Sequence, residues 1–158
     1  MAKSHVVPRV PTLRTTVALP RAGAPLSGGA LAGRRVLVVH DSPEVADVLV
    51  EIFAAAGARV RVAHDASAAS LAVGWGGLDF LLLDASVPEA EGVLDVIVEC
   101  RAGLLRQTVV MTAAVPAREA VDRLRAAHPA PLYRDSWLVD LVGVATRVLA
   151  APARRAVA

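Results

Sequence analysis

Short apolar runs alternate with helical patterns through residues 34–150. Val36 to Val39 is closed by His40-Asp41, and Phe80 to Leu83 runs without alternation into Asp84. Uninterrupted apolar runs of this length fit strands covered on both faces, as in a parallel sheet. Thr108 to Met111, ending at Thr112, reads the same way, and Leu132-Tyr133 before Arg134-Asp135 is a brief last strand. Val60 and Val62 alternate with Arg59 and Arg61, which predicts a short strand at the edge of the sheet.

The intervening segments carry helix signals. Ser42 is an N-cap, Pro43 takes the first helical position, and Glu44 lies in the first turn, where the helix dipole favours it. Val45, Val48, Leu49, Ile52, Phe53 and Ala56 then keep helical spacing up to a stop at Gly57. Asp65 caps a weaker helix through Leu71 and Val73, ended by Gly74, Gly76 and Gly77. A third helix, Gly92 to Arg101, buries Val93, Leu94, Val96 and Ile97, with Cys100 read as packing. Pro116 opens a fourth through Ala127, with Val121 and Leu124 inward. Ser136 caps the last, Trp137 to Leu149, which turns Leu138, Leu141, Val142, Ala145 and Val148 to the sheet. Helices between strands require a parallel sheet with right-handed crossovers. The expected fold is α/β: a doubly wound (βα)5 three-layer sandwich on a five-stranded parallel sheet.

Composition changes this picture mainly at the ends. Lys3, Arg9, Arg14 and Arg21 stand in residues 1–33 without any acid, and Arg154 and Arg155 lie in the tail 151–158. With those six of the 17 basic residues set aside, 11 remain in 34–150 against all 15 acids, a balance of −4. The expected organisation is therefore a flexible basic arm over 1–33, an acidic folded domain over 34–150 and a short basic tail. An acidic domain argues against a specific nucleic-acid face. No apolar run approaches the ~18 residues of a membrane span. The lone Cys100 forms no internal disulfide, in keeping with a cytoplasmic protein. His5, His40, His64 and His128 lack metal-ligand spacing, and His64 and His128 read as loop residues.

What changes the picture most is where the polar residues fall. His40 and Asp41, Asp84, Thr112 and Arg134 each follow an apolar strand. Ligands of open parallel sheets bind beyond the carboxyl ends of the strands, and neighbouring strands lie ~4.8 Å apart, so these groups can converge. Two adjacent carboxylates call for a hard divalent cation such as Mg²⁺. A hydroxyl and a cation opposite suit a phosphoryl group carried on Asp84, since carboxylates serve as phosphoryl acceptors. The bland alternative is that each residue merely caps the next helix. It is weakest for Asp84, whose helix begins several residues later.

VLVVHDSPEV, LLLDASVPEAEG and VVMTA resemble the three sequence marks of bacterial response-regulator receiver domains, over residues 34–150. The resemblance implies a flavodoxin-like receiver topology, a phosphoacceptor at Asp84 with Pro88 and Gly92 at the family's offsets, and a switch hydroxyl at Thr112. It also implies Mg²⁺ held by Asp41, Asp84 and the backbone carbonyl of Ser86, with a sensor histidine kinase or phosphotransfer protein as donor. Three departures stand out: His40 replaces one acid of the usual pair, Arg134 the usual lysine, and Asp135 the proline beside it. His40, beside Asp41, is the further candidate metal ligand. Arg134 keeps the charge but exchanges a compact donor for a planar fork.

These features imply a stand-alone receiver that is not an enzyme beyond slow self-dephosphorylation. It would act on a downstream protein target through the face of the fourth helix, fifth strand and fifth helix, where Asp140, Arg147 and Trp137 are candidates. The alternative is a degenerate receiver serving as a phosphorylation-independent adaptor. Haloacid-dehalogenase-type phosphatases need a second Asp where Ser86 stands, and no GxSxG, GxxxxGK[ST] or GxGxxG motif is present.

Overall fold

The computed structural model describes residues 13–16, 28–112, 118–134 and 140–151. Six strands form one sheet: β1 (Leu13–Thr16), β2 (Arg35–Val39), β3 (Arg59–Ala63), β4 (Phe80–Asp84), β5 (Thr108–Met111) and β6 (Leu132–Arg134). Five α-helices alternate with them: α1 (Pro43–Ala55), α2 (Ala66–Trp75), α3 (Ala90–Arg101), α4 (Arg118–Ala127) and α5 (Leu141–Ala150). The sheet order is β1-β3-β2-β4-β5-β6, and the last five strands are mutually parallel. This is the doubly wound (βα)5 sandwich expected from the sequence.

Side-chain alternation along the strands divides the core into two layers. Leu37, Leu81, Leu83 and Val110 pack with residues of α2, α3 and α4 on one face. Val36, Val38, Phe80, Leu82, Val109 and Met111 pack with residues of α1 and α5 on the other. In the second layer Phe53 and Phe80 meet with ring centroids 5.9 Å apart and tilted by 52°. β4 lies between β2 and β5 with both faces covered, as its unbroken apolar run requires.

The sheet has one strand more than the sequence pattern gives. β1 pairs antiparallel with β3, Leu13 opposite Ala63 and Thr16 opposite Val60. β3 is therefore an interior strand, not the edge. Its alternation reports which face each side chain takes, with Val60 and Val62 buried and Arg59 exposed, and says nothing of its neighbours. LRTT has no apolar alternation of its own, because the pairing uses only backbone groups. Residues 28–33 also leave the expected arm. Leu31 is buried in the second core layer, and the N–H groups of Leu31 and Gly33 bond the carbonyls of Ala56 and Gly57. A Cβ on Gly29 would overlap the Ala56 carbonyl, so only glycine fits that approach.

Helix starts follow their caps. The Ser42 hydroxyl accepts from Val45 N–H, and Asp65 accepts from Ala68 N–H at 2.7 Å. Gly57 leaves α1 at φ +90°. Four details depart from the sequence reading. α1 buries Ala46, Leu49, Val50 and Phe53, so Val48 faces solvent and Val50 takes its place. α3 begins at Ala90, two residues before Gly92, and Cys100 on it is exposed. α5 begins at Leu141: Asp140, in the left-handed region at φ 58°, accepts from Gly143 N–H at 3.0 Å and caps it. It buries Leu141, Val144 and Ala145. Ser136, Trp137 and Leu138, like the expected opening of α4 at Pro116 and the basic tail with Arg154 and Arg155, lie outside the described residues.

Candidate phosphoacceptor site

The parallel register brings the polar strand ends to one rim. Val39 is the Cα partner of Leu83 and Asp84 that of Met111, so His40, Asp84 and Thr112 stand at adjacent strand ends. The backbone closes around them: Ala85 N–H bonds Met111 O at 2.8 Å, and Thr112 N–H bonds Arg134 O at 3.3 Å. His40, Asp84 and Thr112 line a small cleft with Val39, Leu49, Leu82 and Met111.

Asp84 is held at both oxygens. His40 Nε2 lies 2.9 Å from Oδ2, and Ser86 N–H donates to Oδ1 at 2.9 Å. Ser42 N–H donates to His40 Nδ1 at 3.0 Å, which makes that nitrogen an acceptor. The ring proton is then on Nε2, pointing at Asp84. His64 Nδ1 lies 3.0 Å from the His40 carbonyl and braces the same corner from the end of β3. No sequence signal marks His64 beyond its place one residue after a strand.

Only 14% of the Asp84 side chain and 17% of the His40 side chain are exposed. Burial alone would raise the Asp84 carboxyl above its ordinary 3.8, but the hydrogen bonds from His40 and Ser86 and the attraction of the ring outweigh it. The carboxyl ends below 3.8 and is ionised at neutral pH. A carboxylate offers about four lone-pair directions. Two are used, so the oxygens keep nucleophilic capacity.

The other expected residues are placed differently. Asp41 is half exposed, with Oδ1 3.3 Å from His40 Nδ1. Thr112 is buried and its side chain is on the cleft wall. Ser86 is exposed and next to Asp84, within reach of a shared ligand. Arg134 ends β6, opposite Met111 and two strands from Asp84; among the described residues its guanidinium is not paired with that carboxylate. Asp135 lies outside the described residues. Asp140 and Arg147 pair with each other at 3.3 Å in solvent. His128 does more than occupy a loop: its Nε2 lies 2.9 Å from Asp95, and its carbonyl accepts from Tyr133 OH at 2.6 Å.

A divalent cation fits this donor set. His40, Asp41 and Asp84 each offer a ligand atom, all within 4.8 Å of one another. Two carboxylates with solvent at the open side are what a hard cation takes, completing its shell with waters and phosphate oxygens.

No protein-family model matches the sequence, and no curated protein is similar to it at a significant level. Solved structures do match. The response regulator TrrA of Thermotoga maritima, in complex with Mg²⁺ and BeF, is 23% identical with a TM-score of 0.56, over 73% of this chain and 98% of that one. The receiver domain of a sensor histidine kinase from Pseudomonas aeruginosa, with magnesium coordinated in its active-site cleft, is 20% identical with a TM-score of 0.64, over 76% and 100%. A CheY-like receiver domain from Methanospirillum hungatei is 18% identical with a TM-score of 0.63, over 75% and 94%. The fold of this chain is that of response-regulator receiver domains.

Proposed function

We propose that this protein is a receiver of two-component signalling that takes a phosphoryl group on Asp84. The observation that carries the reading is one ionised, half-dry carboxylate at the end of the central strand, in a cleft shared with Thr112 and beside Asp41. In the step, an Asp84 oxygen attacks the phosphorus of a phosphohistidine on a sensor kinase or phosphotransfer protein. A P–O bond forms and the P–N bond breaks. Its electron pair stays on the donor imidazole, which takes up a proton. Water later attacks the acyl phosphate, releasing inorganic phosphate and restoring the carboxylate.

The chain's own residues orient and stabilise. Ser86 N–H fixes the plane of the carboxylate, and Thr112 presents a hydroxyl to the phosphoryl oxygens. Asp41, Asp84 and the Ser86 carbonyl would hold the cation, which offsets the charge of carboxylate and phosphate when bound. Arg134, at the end of β6, stands at the position usually taken by lysine and would supply its positive charge. Output passes to a downstream protein in the cytoplasm by surface contact, without an enzymatic reaction beyond loss of the phosphoryl group. Among the described residues no helix is long and apolar enough to cross a membrane.

A second reading, an adaptor independent of phosphorylation, is favoured by one contact: His40 already occupies Asp84 Oδ2. Incubation with acetyl phosphate and divalent cation separates the two. The receiver gives an acid-stable, hydroxylamine-labile phosphoryl label that Asp84→Asn abolishes. The adaptor gives none.

A further inference from the structure

The position that most alters the cation site is His40. Its ring stands between two carboxylates, Nε2 2.9 Å from Asp84 Oδ2 and Nδ1 3.3 Å from Asp41 Oδ1. In the tautomer fixed by Ser42 N–H, a proton fills the first gap and none fills the second, where two acceptors face each other. Such an arrangement gains from a cation. A six-coordinate ion with bonds of ~2.1 Å has neighbouring ligands about 3 Å apart, close to the spacing of Nε2 and Asp84 Oδ2.

We infer that the His40–Asp41–Asp84 corner is a site for a borderline divalent transition ion of the Co²⁺ or Zn²⁺ class, which replaces the proton shared by His40 Nε2 and Asp84. Imidazole suits these ions, whereas Mg²⁺ favours an all-oxygen shell. With Nε2 on the metal, the ring proton moves to Nδ1, which gives up its bond from Ser42 N–H and turns to Asp41 Oδ1, now 3.3 Å away, and this Nδ1–H···carboxylate contact orients the ligand. Binding also withdraws the Nε2–H donor from Asp84 and puts the metal in its place. The inference rests on reading this rim as a cation site. It does not require phosphotransfer, and its test contains no phosphodonor, so the two fail separately.

The test uses the full chain, stripped with a chelator and titrated with Mg²⁺, Mn²⁺ and Co²⁺ by calorimetry. Co²⁺ absorption and paramagnetic broadening of the His40 ring protons serve as spectroscopic readouts. Nitrogen-bearing sites generally prefer Co²⁺ to Mg²⁺, so the decisive quantity is how the preference changes on substitution. His40→Asp is expected to lower the Co²⁺-over-Mg²⁺ preference by about tenfold or more. His40→Gln retains a neutral N–H donor toward Asp84 and is expected to lose Co²⁺ affinity to a similar extent while remaining folded by circular dichroism. The inference is overturned if both variants keep the wild-type preference, if the His40 ring signals do not broaden, or if the wild-type chain binds no Co²⁺.

Discussion

The contact between His40 and Asp84 makes a quantitative claim about folding as well as chemistry. A charge-assisted hydrogen bond of 2.9 Å, with both side chains mostly buried, is worth about 1.5–3 kcal/mol. Removing the imidazole leaves a half-dry carboxylate with Ser86 N–H as its partner, so His40→Ala should cost about that amount. In an Asp84→Ala background the ring has no carboxylate to serve, and the same substitution should cost much less. A double-mutant cycle from urea melts in metal-free buffer at neutral pH should therefore give a coupling of about 1.5–3 kcal/mol. The sign with pH follows from the depressed Asp84 carboxyl: its stabilisation is fully present above 3.8 and is lost as acid protonates it below that value. A coupling below about 0.5 kcal/mol, the level of exposed pairs, would refute the geometry at this corner.

Further expectations concern the frame. Leu31→Ala should cost about 2–5 kcal/mol in chemical denaturation, although the sequence reading placed this residue in a flexible arm, because its side chain is in the core. Tyr133→Phe should cost about 0.5–1.5 kcal/mol by losing the 2.6 Å bond to the His128 carbonyl. Burial pushes the Tyr133 phenol up to about 12 despite Arg125 beside it, so alkaline absorption should show a late-titrating tyrosine. Its contribution to stability is present below pH 10 and fades as pH rises toward about 12. Cys100, exposed at the end of α3, should react with a thiol reagent in the native state as fast as in denaturant. Slow native reaction would mean that α3 is turned differently.

The parallel core was legible because each strand carries its own burial pattern. Phe80 to Leu83 is apolar at every position, which only a strand covered on both faces tolerates. Ser42 and Asp65 announce their helices because a cap acts over three residues. β1 was not legible, since LRTT is held by backbone pairing to β3, and that leaves no periodic trace. Val48 and Val50 show the limit of helical spacing: either can continue the α1 stripe, and packing against the sheet selects Val50. Asp41, Asp84 and Thr112 were findable because they end strands. The engagement of Asp84 by His40 was not, because it depends on a ring orientation fixed by Ser42 N–H. The same departure at His40 that reads in sequence as a missing acid is, in three dimensions, a hydrogen-bond donor to Asp84.

The central claim is that Asp84, and not a neighbouring carboxylate, receives the phosphoryl group. Borohydride reduction of the acetyl-phosphate-treated chain, followed by peptide mass mapping, tests it directly, since an aspartyl phosphate is reduced to homoserine. The account predicts homoserine at position 84. Homoserine at position 41 or at another aspartate, the corresponding hydroxynorvaline at a glutamate, or no reduced residue at any position while the cation is bound, would contradict it.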